Sequence, residues 1–172
     1  MSKIFISYRR TDSMETTGRI FDRLLQAFGR KNVFKDVDNI PPGVDFEEYI
    51  EKSLRSCETV LVIMGDRWLN PAKPGGRPRL FDKADFVRLE IEAALKSQAQ
   101  VIPILIRGKN MPSAMKLPEG LKPLTRINAI KVRGDPDFNR DMDLIIRTIR
   151  SRRLGARRLP WIAAAVCAIG IG

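Results

Sequence analysis

The sequence predicts a single α/β domain of flavodoxin-like type, in which helices cover both faces of a five-stranded parallel sheet. Short apolar runs alternate along the chain with segments whose apolar residues recur at spacings of three and four, and this alternation is typical of a parallel sheet wound with helices. The length of 172 residues suits one domain with a sizeable core better than two domains. We therefore expect three layers, helix, sheet and helix, with the strand order 2-1-3-4-5.

The predicted elements follow one another in β-α order. The first strand covers residues 3–8, and the apolar positions of residues 14–28 then recur as in a helix that ends at Gly29. Proline within the fourth strand, at Pro103, is unexpected because proline in a sheet is usually confined to edges or bulges. The further strands are expected at residues 33–35, 59–64, 101–106 and 128–132, and the further helices at residues 46–54, 84–97 and 137–152.

The composition limits the chemistry that the chain can perform. The chain contains no histidine, which removes Ser-His and Cys-His nucleophile pairs, the usual zinc sites and a histidine general base. Its two cysteines, Cys57 and Cys167, are too few for a disulfide framework or a metal cluster, and they suit a reducing compartment. Chemistry must therefore rest on carboxylates, on lysine or arginine, and on hydroxyl groups.

The net charge of +11 is concentrated near the C-terminus. Residues 147–172 carry six arginines and no acid, so over half of the excess positive charge lies in this stretch. Such a placement argues against a nucleic-acid-binding surface on the domain itself. We divide the chain into a folded domain at residues 1–150, an Arg-rich linker at residues 151–159 and an apolar segment at residues 160–172.

The apolar segment 160–172 has three interpretations. Its 13 residues are fewer than the roughly 20 that cross a bilayer as a helix, so it is the start of a transmembrane helix, an interfacial anchor or an unstructured terminus. The preceding arginines and Trp161 at its beginning favour the first interpretation. With no secretory signal expected at the N-terminus, we predict a cytoplasmic domain that a single C-terminal segment anchors to a membrane.

Ser7–Arg10 closes the first predicted strand, at the sheet edge where ligands bind in folds of this class. One interpretation is a polar turn whose arginines lie in water. The other is a clamp for a phosphate or carboxylate, since guanidinium groups offer paired donors in a fixed plane. The turn lacks the Gly-rich pattern of the common nucleotide-binding loops.

Helical geometry separates the two acids of the predicted helix 84–97. Glu92 falls with Arg88 and Lys96 on one stripe, where we expect a surface acid paired with Lys96. Glu90 shares a stripe with Phe86 beside the core positions, a setting that perturbs carboxylates. The residues alone leave both a structural and a functional role open for Glu90.

Four motifs in one order resemble the Toll/interleukin-1 receptor (TIR) domain, most of all its bacterial variety, over about residues 1–150. The resemblance also accounts for Pro103, which has a counterpart in the fourth strand of that family. The motifs are Phe5–Arg10, Phe34–Asp38 followed by Pro42-Gly43, Asp66–Trp68, and Val101–Ile104.

The resemblance implies a substrate and a set of site residues. Enzymatic members cleave NAD+ at the nicotinamide–ribose bond with a glutamate in a Trp-x-x-x-Glu stretch, which corresponds here to Phe86–Glu90. The resemblance therefore implies Glu90 as the catalytic residue, with NAD+ as substrate and neither a metal nor a further cofactor. The residues implied to contact the substrate are Ser7, Tyr8, Arg9, Arg10, Asp38, Phe46, Trp68 and Phe86.

Two functions fit this family resemblance. The first is an NAD+-cleaving signalling or defence enzyme that is activated by self-assembly, with the loop 36–43 meeting a neighbouring TIR domain. The second is a non-enzymatic adaptor that acts only by docking other TIR domains. The aromatic-x-x-x-Glu pattern, which adaptors of the family generally lack, favours the enzyme.

Overall fold

A computed structural model describes residues 3–35, 43, 45–69 and 76–156. Its five parallel strands form one sheet in the order β2-β1-β3-β4-β5, which confirms the predicted fold class and strand order. The strands are β1 (Ile4–Ser7), β2 (Val33–Lys35), β3 (Thr59–Met64), β4 (Gln100–Ile106) and β5 (Ile130–Val132).

The predicted helices are present, with boundaries that differ by a few residues. The first predicted helix, residues 14–28, starts too late, because the helix of the structure already begins at Arg10. Gly29 ends that helix with φ of 83°, a left-handed value that glycine adopts without steric cost. The helices are α1 (Arg10–Phe28), α2 (Phe46–Arg55), α3 (Phe86–Lys96) and α4 (Phe138–Ala156).

Both faces of the sheet are buried. Side chains alternate across each strand, so Ile4 and Ile6 of β1 pack with α1 and α4, whereas Phe5 packs with α2 and α3. The same alternation holds in β3, where Leu61 and Ile63 join the first cluster. Each face therefore has its own apolar core, as expected for a doubly wound sheet.

Pro103 lies inside the sheet, opposite Val62 of β3. Pairing between β4 and β5 begins one residue later, at Ile104 opposite Ile130. Pro103 is therefore flanked by a paired strand on one side only, and this resembles the edge position in which a strand tolerates proline.

Between β4 and β5 the chain forms 3-10 helix where the sequence analysis predicts no element. The segments are Ala114–Lys116 and Glu119–Arg126, and further short 3-10 helices span Arg30–Asn32 and Arg79–Phe81. Leu121 and Leu124 of the longer segment are buried beside α3. Proline at Pro123 is incompatible with the hydrogen bonding of an α-helix interior, and it accounts for the missing α-helical pattern.

The predicted membrane-anchored localisation is corrected. Among the residues described, no helix is both long enough and apolar enough to cross a membrane. The segment 160–172 lies outside the described residues, and α4 continues through part of the predicted linker to Ala156.

An ion pair holds the end of β5 to the beginning of α4. The Arg133 guanidinium donates to Asp141 at 2.9 Å from Nε and 2.6 Å from Nη2, and the Arg133 backbone N–H donates to the same carboxylate at 2.9 Å. These hydrogen bonds hold the pKa of the Asp141 carboxyl below its ordinary value. The carboxylate thus stabilises the folded state wherever it is ionised.

We expect Asp141→Asn to be less stable than wild type at neutral pH, and the difference to vanish in acid. Because the pKa of Asp141 is lower in the folded than in the unfolded state, its contribution is complete above about pH 4 and is lost as the pH falls through the folded-state value. Urea unfolding followed by circular dichroism measures the free energy of unfolding of both proteins across this range.

The control for this experiment is Asp143→Asn on the same helix, whose carboxylate pairs with Arg23 in a largely exposed setting. Exposed pairs contribute about 0–1 kcal/mol, so this variant should remain close to wild type throughout. A stability difference for Asp141→Asn that persisted undiminished in strong acid would contradict the assignment.

Candidate functional site

The pleat of β1 sorts the residues of the Ser7–Arg10 motif onto different faces of the sheet. Tyr8 is buried with Ile4 and Ile6 in the cluster that includes α1 and α4. Ser7 and Arg9 point to the opposite face, where both contact residues of α3 and the turn before it. Tyr8 therefore lies in the core on the face away from α3, and its contact with the substrate stays a prediction.

Ser7 and Glu90 form the central contact of the candidate site. The Ser7 hydroxyl donates to Glu90 Oε2 at 2.6 Å, and Glu90 is only 6% exposed. Because the bond is short and buried, it fixes the direction of the Glu90 side chain. The structure thus brings together two of the predicted site residues, at the carboxyl end of β1.

Arg9 and Asp85 form a second contact between the end of β1 and α3. The guanidinium donates to both carboxylate oxygens, at 2.9 and 3.0 Å, and both side chains are buried. Asp85 also caps α3 by accepting the Arg88 backbone N–H at 3.1 Å, and Arg79 Nε lies 3.5 Å from it. Two donors of Arg9 are thus bound to Asp85, whereas its buried Nε has no hydrogen-bond partner among the described residues, and the contact of Arg9 with the phosphates stays a prediction.

A third carboxylate holds the loop after β3 to α1. Asp12 is buried and accepts the backbone N–H groups of Gly65 at 2.8 Å and of Arg67 at 2.7 Å. Asp12 lies in the first turn of α1, where the helix dipole favours a negative charge. The loop that follows β3 is therefore fixed beside the end of β1.

Trp68 lies in the core rather than in the candidate site. Its side chain is 1% exposed and packs with Met64 and Leu80 in the apolar cluster on the α3 face. A large aromatic side chain gains most from complete burial. Trp68 therefore packs in the core, and its contact with the substrate stays a prediction.

The remaining predicted site residues differ in exposure. Phe86 begins α3 and is 56% exposed, and Arg10 is exposed at the beginning of α1. Both border the sheet edge at which Ser7 and Glu90 meet. Asp38 and the side chain of Phe46 lie outside the described residues.

Glu92 pairs with Arg88, not with Lys96 as predicted, and it is not a surface acid. Arg88 Nε donates to Glu92 Oε1 at 2.8 Å, and both side chains are largely buried. The 3-10 helix Glu119–Arg126 covers this side of α3, and a Cβ at Gly120 would lie 2.4 Å from Glu92 Oε1. The prediction is wrong because the 3-10 helix Glu119–Arg126, which covers Glu92, was not predicted from the sequence.

Two residues of the site were not predicted from the sequence. They are Asp85 and Asp12. Asp85 falls inside the predicted helix 84–97, although aspartate directly before an apolar stripe is a common N-cap signal. Asp12 is visible only as an acid near a helix start. No sequence signal links it to the loop after β3, because that contact joins residues 53 and 55 positions apart.

The arrangement provides the buried Glu90 carboxylate at the carboxyl edge of the sheet, the Ser7 hydroxyl that orients it, and the exposed ring of Phe86 four residues before it on the same helix. Within residues 3–35, 45–69 and 76–156 no group of three or more acidic or sulfur side chains is placed to hold a metal ion. A carboxylate held in this way can stabilise a positive charge that develops on a bound substrate.

The fold and the site define the class of protein: a doubly wound α/β domain with a carboxylate site between β1 and α3. A family model described as the TIR domain matches residues 4–146. The chain belongs to the TIR domain family.

A curated relative supports the same assignment. The NAD(+) hydrolase sarm1 of Drosophila melanogaster is 30% identical over 132 residues, a match that covers 74% of this chain and 9% of that protein. The chain therefore spans about a tenth of the length of this relative.

Solved structures share the fold at low sequence identity. The TIR domains of the activated Roq1 resistosome superpose with a TM-score of 0.58 at 14% identity, covering 89% of this chain and 99% of that one. A prokaryotic SEFIR domain gives 0.53 at 17% identity and covers both chains completely. The TIR domain of the Toll-related receptor TRR-2 from Hydra magnipapillata gives 0.50 at 16%, covering 91% of this chain and 98% of that one.

We expect Gly65→Ala to destabilise the fold by about 1–3 kcal/mol. A Cβ at residue 65 would lie 2.7 and 2.8 Å from the two carboxylate oxygens of Asp12, which two backbone N–H groups hold in place. Chemical unfolding in urea measures the loss.

Gly18→Ala is the matched control, because a Cβ at Gly18 in the middle of α1 meets nothing within 4 Å. Alanine in an open helical position should stabilise the fold by about 0.5–1 kcal/mol. Equal effects of the two substitutions would show that the Asp12 contact does not restrict residue 65.

Proposed function

We propose that the chain hydrolyses NAD+ at the nicotinamide–ribose bond, with Glu90 as the catalytic carboxylate and self-assembly as the activating event. The observation that carries the proposal is the position of Glu90, buried at the carboxyl edge of the sheet and oriented by the Ser7 hydroxyl at 2.6 Å. The family and a relative named as an NAD(+) hydrolase support it.

One carboxylate is sufficient for this chemistry. Nicotinamide takes the electron pair of the C–N glycosidic bond and leaves as a neutral molecule, so no acid has to protonate it. The ribose carbon develops positive charge, which the Glu90 carboxylate would stabilise. Water then adds to that carbon and releases a proton, giving ADP-ribose. Ordinary glycosides need a second carboxyl group to protonate the leaving group.

The substrate contacts that we propose follow from exposure and charge. Phe86 presents an exposed ring on the helix that carries Glu90, in a position to stack on a planar heterocycle. Arg10, exposed at the beginning of α1, and Arg9, which is buried beside it, are the arginines that we assign to the phosphates. Asp38 and Phe46 remain proposed contacts.

Activation by assembly agrees with the burial of Glu90. At 6% exposure the carboxylate cannot meet a ribose until a neighbouring element moves, and a partner domain could supply the free energy for that movement. TIR domains form part of the activated Roq1 resistosome, to which this chain is similar in fold. We propose that the loop 36–43 makes the corresponding contact between copies of this chain.

A second candidate function is a non-enzymatic TIR adaptor that works by docking other TIR domains. The burial of Glu90 and its bond to Ser7 favour the adaptor in one respect. A buried carboxylate bonded to Ser7 also has a purely structural use, because it joins α3 to β1. The two functions differ in whether nicotinamide is released.

We expect the full chain, concentrated on beads, to release nicotinamide from NAD+, and Glu90→Gln to lower the rate by about 100-fold or more. The amide keeps the size of the side chain but lacks the charge that stabilises the ribose cation. Chromatography of the reaction mixture measures nicotinamide and ADP-ribose.

The matched control is Glu92→Gln, which loses a carboxylate of the same helix that is paired with Arg88 and does not face Ser7. It should retain most of the activity. Release that survives Glu90→Gln would remove Glu90 from its role, and no release at any bead density would favour the adaptor.

A further inference from the structure

We infer that the Arg9–Asp85 ion pair is a positioning device for Glu90. By fixing where α3 begins relative to the end of β1, it would set the distance and direction of the Glu90 carboxylate at the reacting carbon. The inference rests on the proposed function, and it assigns to the ion pair of Arg9 and Asp85 an action through Glu90, beside the phosphate contact proposed for Arg9.

The two residues at and just after the end of β1 that contact the α3 segment are separated by about the same distance as their two partners. Ser7 and Arg9 are two residues apart in extended chain, which is about 6.6 Å. Asp85 and Glu90 are five residues apart, which is about 7.5 Å along a helix. Because α3 begins at the edge where β1 ends, the outer residues Arg9 and Asp85 meet, and the inner residues Ser7 and Glu90 meet.

The outer contact is the stiffer of the two. Arg9 and Asp85 form two parallel hydrogen bonds at 2.9 and 3.0 Å, and a bidentate pair fixes orientation as well as distance. Asp85 also accepts the Arg88 N–H, so the same carboxylate defines the first turn of α3. The Ser7 hydroxyl contributes a single bond to Glu90, which cannot by itself fix the rotation of the helix.

A purely structural role is the alternative, and the chain contains a matched control for it. Arg133 and Asp141 likewise join the end of a strand to the first turn of a helix, but at β5 and α4, away from Glu90. Loss of that pair should weaken the fold without displacing Glu90. Comparison of the two pairs therefore separates positioning from stability.

The experiment compares Asp85→Asn, Arg9→Lys and Asp141→Asn in the full chain on beads, at a temperature where circular dichroism shows each to be folded. For Asp85→Asn we expect kcat to fall about 10- to 100-fold, since a displacement of about 1 Å at a reacting group has effects of this size. KM should change much less, because the inferred action of the ion pair is on the position of Glu90 rather than on NAD+. Arg9→Lys keeps the positive charge but not the paired donors of the guanidinium, so its kcat should lie between those of Asp85→Asn and wild type.

A second measurement does not depend on activity. The 13C resonance of the Glu90 side-chain carboxyl, at fixed pH, reports the bond from Ser7, and Ser7→Ala gives its value when that bond is absent. In Asp85→Asn the resonance should move toward the Ser7→Ala value, whereas in Asp141→Asn it should stay where it is in wild type.

A folded Asp85→Asn protein with wild-type kcat, or with an unmoved resonance, would overturn the inference, as would an equal loss of kcat in Asp141→Asn. If the wild-type chain released no nicotinamide, the proposed function would fail. The resonance would still show whether the pair positions Glu90.

Discussion

The alternation of side chains along β1 is the constraint on which the candidate site depends. An extended chain sends successive residues to opposite faces, so the burial of Ile4, Ile6 and Tyr8 against α1 and α4 commits Ser7 and Arg9 to the other side. On that side they lie under α3, away from water. A buried hydroxyl and a buried guanidinium require hydrogen-bond partners, and Glu90 and Asp85 of the α3 segment supply them.

The buried polar groups are concentrated where the site is. Ser7, Arg9, Asp12, Asp85 and Glu90 are all buried near the carboxyl ends of β1 and β3, whereas the clusters on both faces of the sheet are otherwise apolar. Buried ion pairs contribute little net stability compared with apolar residues of similar volume. The buried Arg9–Asp85 pair therefore contributes more to the geometry of this edge than to the net stability of the fold.

Most of the fold could be predicted from the sequence, because the apolar residues of the strands and α-helices follow local patterns that are typical of those elements. The segment between β4 and β5 could not, since 3-10 helix containing Pro123 lacks the helical period. That omission also produced the wrong environment for Glu92, which depends on an element distant in sequence. Of the site, the sequence motifs named Ser7 and Glu90 as site residues but did not predict the hydrogen bond between them, and they did not predict the partner of Arg9 or the burial of Tyr8 and Trp68. Whether a polar or aromatic side chain faces a ligand or the core is decided by the pleat and by partners far along the chain.

Glu90 is buried, so its proposed chemistry requires that a substrate reach it. The contacts between β1 and α3 (the joint) have to stay in place while another segment moves to give that access. Two contacts hold this joint, and one of them is a bidentate buried pair, so separating α3 from β1 would leave the Arg9 guanidinium and the Ser7 hydroxyl without these partners in the interior. That cost is several times larger than the cost of moving an exposed loop. Movement of segments other than this joint is therefore the less costly route by which a substrate reaches Glu90. The activation by a TIR partner that we propose requires that the contacts between β1 and α3 stay in place while it happens.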